Sequence, residues 1–181
     1  MPARAGVPSD QLKVQVDRVV SVLDDAELRK STRAVERRAA IRRIANETFD
    51  FTETARRSLG PHWQARTPAE REEFAGLFAD LLERSYIGRL ELYRGEKVAY
   101  LGDTIDDGFA TVRTKLITKQ GTEVPIDYRM IRRDDRWLVY DLSIEGVSLV
   151  ANYRAQFNKI IQTSGYASLV QRLRDKQVEG A

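Results

Sequence analysis

The stretch 137–157, WLVYDLSIEGVSLVANYRAQF, changes its hydrophobic period at its centre. Up to Glu145 large apolar side chains alternate as on a strand with one buried face, and after Ser148 they recur at the spacing of a helix. Gly146 lies between the two halves and can adopt backbone conformations that other residues avoid, and Ser148 can cap the helix that follows. The pattern predicts a strand and a helix that meet at a tight, apolar corner.

Alternating apolar residues also run through three segments before this corner, around 98–100, 110–116 and 124–130. Every second side chain of a strand lies on the same face, so each segment can bury one face and leave the other in water. Short polar turns separate the segments and can join neighbouring strands into hairpins. The pattern predicts a curved antiparallel sheet of about four strands.

Helical spacing governs the chain on both sides of this sheet. The clearest start of a helix is TPAE at 67–70, which supplies a capping hydroxyl, a proline at the first helical position and a glutamate at the third. From Phe74 onward, apolar and aromatic residues recur at helical spacing until Gly95. The order of helices, strands and helices predicts a single α+β domain, residues 1–181, in which several helices cover the sheet.

The composition argues against several functions. The chain has no cysteine, so it can form neither a disulfide nor a thiolate nucleophile. The chain has 30 Lys and Arg against 27 Asp and Glu, and the resulting net charge of +3 is too small to indicate nucleic-acid binding. No apolar run in the sequence is long enough to span a bilayer. The start MPARAGVPSD lacks the apolar segment of a secretory signal, so we expect either a cytosolic protein or a mature form whose leader was replaced.

Candidate catalytic groups are few. His62 is the only histidine and has no second ligand at a metal-binding spacing, and the sequence has neither a Gly-x-Ser-x-Gly turn nor a Gly-rich phosphate loop. Asp141 is the one acid in an otherwise apolar strand. It can act as a general base in a cone-shaped pocket, as in a small isomerase, or as a structural group. We predict that the protein is not an enzyme, and an isomerase that uses Asp141 is the alternative.

A stripe of arginines marks the second predicted helix, with Arg37, Arg38 and Arg42 at its centre. The stripe is either a solvated face or a docking surface for an acidic protein or for anionic lipid headgroups. Such attraction is screened beyond about 10 Å at 0.1 M salt. A nucleic-acid site would need aromatic rings between the cations, and this stripe has none. These three arginines are therefore the predicted partner-docking residues.

Several longer segments of the chain match the pattern of one protein family. These segments are FDF at 49–51, LG at 59–60 with Trp63, TP at 67–68, VPIDY at 124–128 and, most specifically, the corner at 137–157. With them the whole chain resembles the MlaC, or toluene-tolerance, family of periplasmic phospholipid-binding proteins. No short catalytic motif defines this family, so the specificity of the match lies in its length and order.

The resemblance implies a helical cover over a curved sheet, with an enclosed apolar cavity for lipid tails. It also implies a soluble periplasmic shuttle that carries phospholipid between an outer-membrane lipoprotein–porin complex and an inner-membrane ABC transporter complex, and so maintains outer-membrane lipid asymmetry. A hopanoid or another lipid is the alternative cargo. We expect a monomer that binds no nucleic acid and no cofactor besides its cargo.

Binding of this kind requires apolar surface and volume, and no reactive groups. Each buried methylene contributes roughly 0.8 kcal/mol, so a dozen buried carbons contribute on the order of 10 kcal/mol before costs. We expect some of the candidate residues to belong to the plain core, and Val147 could face either way at the corner. The predicted lipid-binding residues are Phe74, Phe78, Leu81, Tyr86, Val112, Leu116, Tyr128, Met130, Leu142, Val147, Val150, Tyr153 and Phe157.

Overall fold

The computed structural model describes residues 7–179. Within this range, six α-helices and five β-strands follow the predicted order of helices, sheet and helices, which confirms the α+β fold. Short 3-10 turns at 31–33 and 60–63 connect helices. The elements are α1 (Pro8–Asp24), α2 (Ala34–Thr48), α3 (Phe51–Leu59), α4 (Pro68–Leu90), β1 (Lys97–Asp106), β2 (Phe109–Ile117), β3 (Glu123–Arg133), β4 (Arg136–Ile144), β5 (Val147–Ser148), α5 (Leu149–Ser164) and α6 (Tyr166–Arg174).

The strands form one antiparallel meander in the order β1-β2-β3-β4-β5. The first four are the strands that the alternation predicts, and the fifth is a two-residue strand that pairs with the end of β4. The pairing is irregular between Tyr100 and Gly102 in β1 and between Arg129 and Met130 in β3. A shift in register is typical of a β-bulge, which bends its strand and increases the local twist.

The predicted corner between strand and helix is present. Glu145 and Gly146 form the turn between β4 and β5, with φ angles of 51° and 84°. A positive φ strains most residues but is ordinary for glycine, so Gly146 suits this position. The Ser148 hydroxyl oxygen then caps α5 by accepting a hydrogen bond from the Ala151 N–H at 3.1 Å.

Helix α4 begins as the TPAE segment predicts. Thr67 Oγ1 accepts a hydrogen bond from the Glu70 N–H at 3.1 Å, and Glu70 Oε1 accepts one from the Thr67 N–H at 2.9 Å. This reciprocal pair satisfies two backbone donors near the start of the helix. The helix ends at Leu90, before the predicted stop at Gly95. Beyond it, the N–H groups of Leu92 and Tyr93 donate to the carbonyls three residues earlier, as in a 3-10 turn, instead of four residues earlier.

The buried apolar residues fall into three clusters. A helical cluster lies among α3, α4, α5 and α6, a sheet cluster joins α1 to one face of the sheet, and a small junction cluster joins α1, α2 and α4. We call the face that contacts α1 the inner face of the sheet. The buried members include Phe74, Phe78, Leu81, Tyr153 and Phe157 in the helical cluster, Leu12, Ala110, Val112, Met130, Trp137 and Val139 in the sheet cluster, and Leu23, Ile41 and Ile87 in the junction cluster.

Candidate functional site

Many of the predicted lipid-binding residues are deeply buried, and they divide between two clusters. Residues of α4 and α5 contribute to the helical cluster, and residues of β2 and β3 contribute to the sheet cluster. All of these deep candidates are at most 1% exposed: Phe74, Phe78, Leu81, Tyr153 and Phe157 in the helical cluster, and Val112 and Met130 in the sheet cluster.

The aromatic rings of the helical cluster contact one another. The Phe78 ring centroid lies 5.2 Å from that of Tyr153 and 5.2 Å from that of Phe157, both in edge-to-face arrangements. Phe74 meets Phe157 in the same way at 5.5 Å. Such pairs stabilise a core beyond the area that they bury. These rings therefore act as packing in the structure as it stands, and a ligand could reach them only if α4 and α5 moved apart.

A second set of candidates is only half-buried. Tyr128 and Leu142 are partners on β3 and β4 and pack against the sheet cluster. Leu116 lies near the end of β2, and Tyr86 of α4 packs against the helical cluster. These side chains keep part of their apolar surface outside the close-packed clusters. They are the candidates that a lipid tail can reach with the least rearrangement.

Three further residues belong to the same apolar surface but are missing from the sequence-based set. Val124, Ile126 and Ile144 are half-buried, and Ile126 pairs with Ile144 beside the Tyr128–Leu142 pair. The alternation that identifies Tyr128 and Leu142 places all three on the same face of their strands. The alternation in the sequence therefore carries the signal for Val124, Ile126 and Ile144 as well.

The two predicted lipid-binding residues at the corner differ in exposure. Val147 of β5 is 60% exposed, whereas Val150 in the first turn of α5 is 4% exposed. The backbone N–H of Val150 donates a hydrogen bond to Asp141. The structure therefore places Val150 in the interior and Val147 at the surface.

Two open clefts, each of about 310 Å³, lie away from these candidates. One adjoins the junction cluster, and the other lies between α5 and α6. Neither contains a predicted lipid-binding residue. The clefts are lined by Leu23, Arg29, Arg37, Glu91, Tyr93 and Arg94, and by Gln156, Lys159, Ile160, Thr163, Ser164 and Arg172.

Tyrosine hydroxyls bring polar groups into the apolar region. Burial raises the pKa of Tyr86, and the neighbouring Tyr153, with which it shares a hydrogen bond, adds to that rise. Burial also raises the pKa of Tyr128 to about 12. The Arg89 guanidinium lies over the Tyr86 ring at 5.3 Å from its centroid. Both phenols with raised pKa are therefore protonated at neutral pH and able to donate hydrogen bonds.

Asp141 is buried beneath the corner, with 4% exposure. Its carboxylate accepts hydrogen bonds from Ser148 Oγ at 2.6 Å, the Leu142 N–H at 2.8 Å and the Val150 N–H at 3.0 Å. A carboxylate that accepts three donors from its own corner holds β4, β5 and α5 together. This geometry favours the structural role of Asp141 over that of a general base.

The predicted docking arginines form ion pairs with α4 and the residue that follows it. Arg37 Nη2 lies 2.9 Å from Glu91 Oε2, and Arg38 Nε lies 2.6 Å from Glu91 Oε1. Arg42 contacts Asp80 at 2.8 Å and Glu83 at 2.6 Å. The hydrogen bond from Arg38 is the largest cause of the lowered pKa of Glu91. The stripe thus braces α2 against α4, and its docking role stays a prediction.

The described residues contain neither a candidate metal centre nor a membrane-spanning helix. His62 Nε2 lies 2.8 Å from Asn158 Oδ1, and no group of His, Asp and Glu within residues 7–179 is arranged to hold a metal ion. In the same range, no helix is both long and apolar enough to cross a bilayer. The half-buried apolar surface of the sheet, beside the two large apolar clusters, is the candidate site.

The fold places this chain among α+β proteins in which helices cover an antiparallel sheet. A sequence model of the MlaC protein family matches residues 13–175. Since this match includes nearly all of the described residues, the chain belongs to the MlaC family, as the resemblance of its segments predicts.

Two relatives show what this chain is similar to. The intermembrane phospholipid transport system binding protein MlaC of Haemophilus influenzae is 24% identical over 120 residues, which cover 64% of this chain and 56% of that protein. The alignment thus spans little more than half of that relative's length. The crystallised phospholipid-binding protein of Ralstonia solanacearum, in complex with a phospholipid, is 28% identical with a TM-score of 0.82, and the match covers 94% of this chain and 97% of that one.

Proposed function

We propose that this protein is a periplasmic carrier that binds phospholipid and moves it between an outer-membrane lipoprotein–porin complex and an inner-membrane ABC transporter complex. In this proposal the whole chain, residues 1–181, acts as one MlaC-like lipid-binding domain without enzymatic activity. The observation that carries the proposal is the similarity, at a TM-score of 0.82 over 94% of this chain, to a protein that was crystallised with a phospholipid.

The apolar surface of the sheet supplies a physical basis for the proposal. Tyr128, Leu142 and Leu116 present half-buried apolar groups, and α1 covers part of the same face through Leu12. A lipid tail that replaced water along this surface would contribute roughly 0.8 kcal/mol for each methylene that it buried. Longer tails would have to extend towards the helical cluster and separate elements that now touch. The carrier is therefore expected to open as it loads.

Such binding has consequences for delivery. Contacts with methylene groups are non-directional. The surface therefore selects a ligand by the size of its apolar part more than by its chemical identity. A hopanoid with the same apolar bulk is therefore the second candidate cargo. Because tail burial makes spontaneous release slow, the partner complex must offer a continuous apolar path. In docking, carboxylates of the partner would take the place of Glu91 and of the acidic residues of α4 as the ion-pair partners of Arg37, Arg38 and Arg42.

Native mass spectrometry of gently purified protein tests the proposal. We expect adducts with the masses of phospholipids, and extraction of the ligand distinguishes a phospholipid from a hopanoid. Leu142→Asp places a charge on the half-buried surface and is expected to remove most of the adduct, because burying a carboxylate against a tail is costly. Leu92→Asp is the matched control, since Leu92 is 69% exposed and lies outside the candidate surface.

Folding is checked by circular dichroism for each variant. If Leu142→Asp does not fold, Leu116→Asp tests the same surface nearer the end of β2. Protein from several preparations that carries no lipid, and takes none up from phospholipid vesicles, would overturn the proposed function.

A further inference from the structure

Two phenol rings lie on the inner face of the sheet, on either side of β2. Tyr100 of β1 pairs with Thr114 of β2, and Tyr128 of β3 pairs with Val112, two positions along the same strand. Both rings pack against the sheet cluster. Their hydroxyls therefore enter the same apolar region from two neighbouring strands.

The Tyr100 hydroxyl has an unusual environment. Its oxygen is buried, yet it has no hydrogen-bond partner anywhere in residues 7–179. The nearby Thr114 hydroxyl is used elsewhere, because it donates to the Ile126 carbonyl at 2.8 Å. Natural proteins satisfy the great majority of buried side-chain polar atoms, since an unsatisfied one costs folding free energy. This hydroxyl is therefore a donor for which residues 7–179 supply no acceptor.

The surroundings restrict what the acceptor can be. Burial is the main cause of a raised pKa for Tyr100, and Tyr128 and Asp17 add to the rise, so the phenol is protonated at neutral pH. The same sheet cluster holds Met130 and Leu142, and a charged headgroup would lose its hydration among such side chains. Hydrocarbon tails have no acceptor atoms at all. A neutral carbonyl oxygen fits both restrictions.

We propose that Tyr100, with Tyr128 beside it, donates a hydrogen bond to an acyl-ester carbonyl of the bound lipid. This inference rests on the proposed function, and it goes further by naming the part of the lipid that the carrier recognises. The esters join the tails to the glycerol unit, so one hydrogen bond there fixes how far the tails enter. The carrier then selects for ester-linked lipids through a hydrogen bond inside a largely apolar site.

Competition between two lipids tests this inference. Delipidated protein is offered equal amounts of a diacyl phosphatidylethanolamine and of the dialkyl ether lipid with the same headgroup and chain length, and the bound ratio is read by native mass spectrometry. The wild-type protein is expected to prefer the ester lipid by roughly three- to tenfold, the effect of one neutral hydrogen bond. Tyr100→Phe keeps the ring and is expected to bind both lipids about equally.

Tyr166→Phe is the matched control. Its hydroxyl donates to the Glu70 carbonyl at 3.3 Å, away from the sheet, so the ester preference should persist. If the wild-type protein binds both lipids equally, or if Tyr100→Phe retains the preference, the inference is wrong while the proposed function stands. If neither lipid binds, both the proposed function and this inference are wrong.

Discussion

Asp141 is the residue on which the corner between sheet and helix depends. Two of its three hydrogen-bond donors are backbone N–H groups, of Leu142 and Val150, and the third is the hydroxyl of Ser148. The side chain therefore stabilises the end of β4, β5 and the first turn of α5 at once. The sequence showed that Asp141 was exceptional in its strand. It did not show which donors face it, because these come from backbone groups that only the folded corner brings together.

Asp141→Asn is predicted to lower the free energy of unfolding by about 1–3 kcal/mol, because the amide NH₂ would replace an acceptor and leave a buried donor unsatisfied. Ser148→Ala should cost about 1 kcal/mol through loss of the helix cap. Urea unfolding of both variants measures these changes. Lipid content per folded molecule should stay constant. A variant that kept its stability but lost a turnover would instead assign Asp141 to catalysis.

The helix α2 shows how an element acquires its role from a distant partner. Its arginines are prominent in the sequence, and their spacing predicts one charged face. Their ionic partners Asp80, Glu83 and Glu91 lie some forty to fifty residues later, on α4 and just beyond it. Local sequence cannot reveal such pairs, whereas the capping box of α4 is local and was predicted correctly. Elements were therefore easier to predict than the contacts between them.

The pairing of Glu91 with Arg38 and Arg37 should make stability depend on pH. Hydrogen bonds from these arginines lower the pKa of Glu91 in the folded state. A group with a lowered folded pKa stabilises the protein above its unfolded pKa, about 4.3, and loses that effect as pH falls through the folded value. Glu91→Gln should therefore destabilise the protein at pH 7, and the difference from wild type should shrink below about pH 4.

Urea unfolding at several pH values measures this difference. Glu36→Gln is the control, because Glu36 pairs with Arg33 at an exposed site where an ion pair contributes little. If the effect of Glu91→Gln matched that of the control at every pH, the α2–α4 brace would have no measurable electrostatic role.

At the scale of the whole molecule, the apolar residues form two large clusters on different elements. Periodicity identified most of their members, but it could not tell which of them pack tightly and which stay half-buried. Phe78 and Leu142 illustrate the point, since both occupy regular apolar positions, yet only Phe78 is enclosed by rings. That distinction depends on how the helices and the sheet fit together. It also determines where the molecule can open.

Helix α1 is the element that we expect to move when lipid enters. Its Leu12 and Val16 cover the part of the sheet that contains Tyr100, Tyr128 and Leu142. The chain has no cysteine, so two introduced cysteines can be joined selectively. Ser9 Oγ of α1 lies 2.7 Å from Asp103 Oδ2 of β1, which makes this pair suitable for a short thiol cross-linker after substitution of both residues by cysteine. Cross-linked protein should take up fluorescent phospholipid from vesicles at least several-fold more slowly.

The matched control joins two strands that need not separate. Lys115 of β2 and Glu123 of β3 form an ion pair across neighbouring strands, so Lys115→Cys and Glu123→Cys can be joined by a thiol linker long enough to span these two positions. Uptake by this second protein should equal that of the unlinked variant, because the link stays within the sheet. Normal uptake by both linked proteins would mean that lipid enters without movement of α1. The opening would then have to lie between α4 and α5, whose edge-to-face ring contacts must break for the deeper candidates to meet a tail.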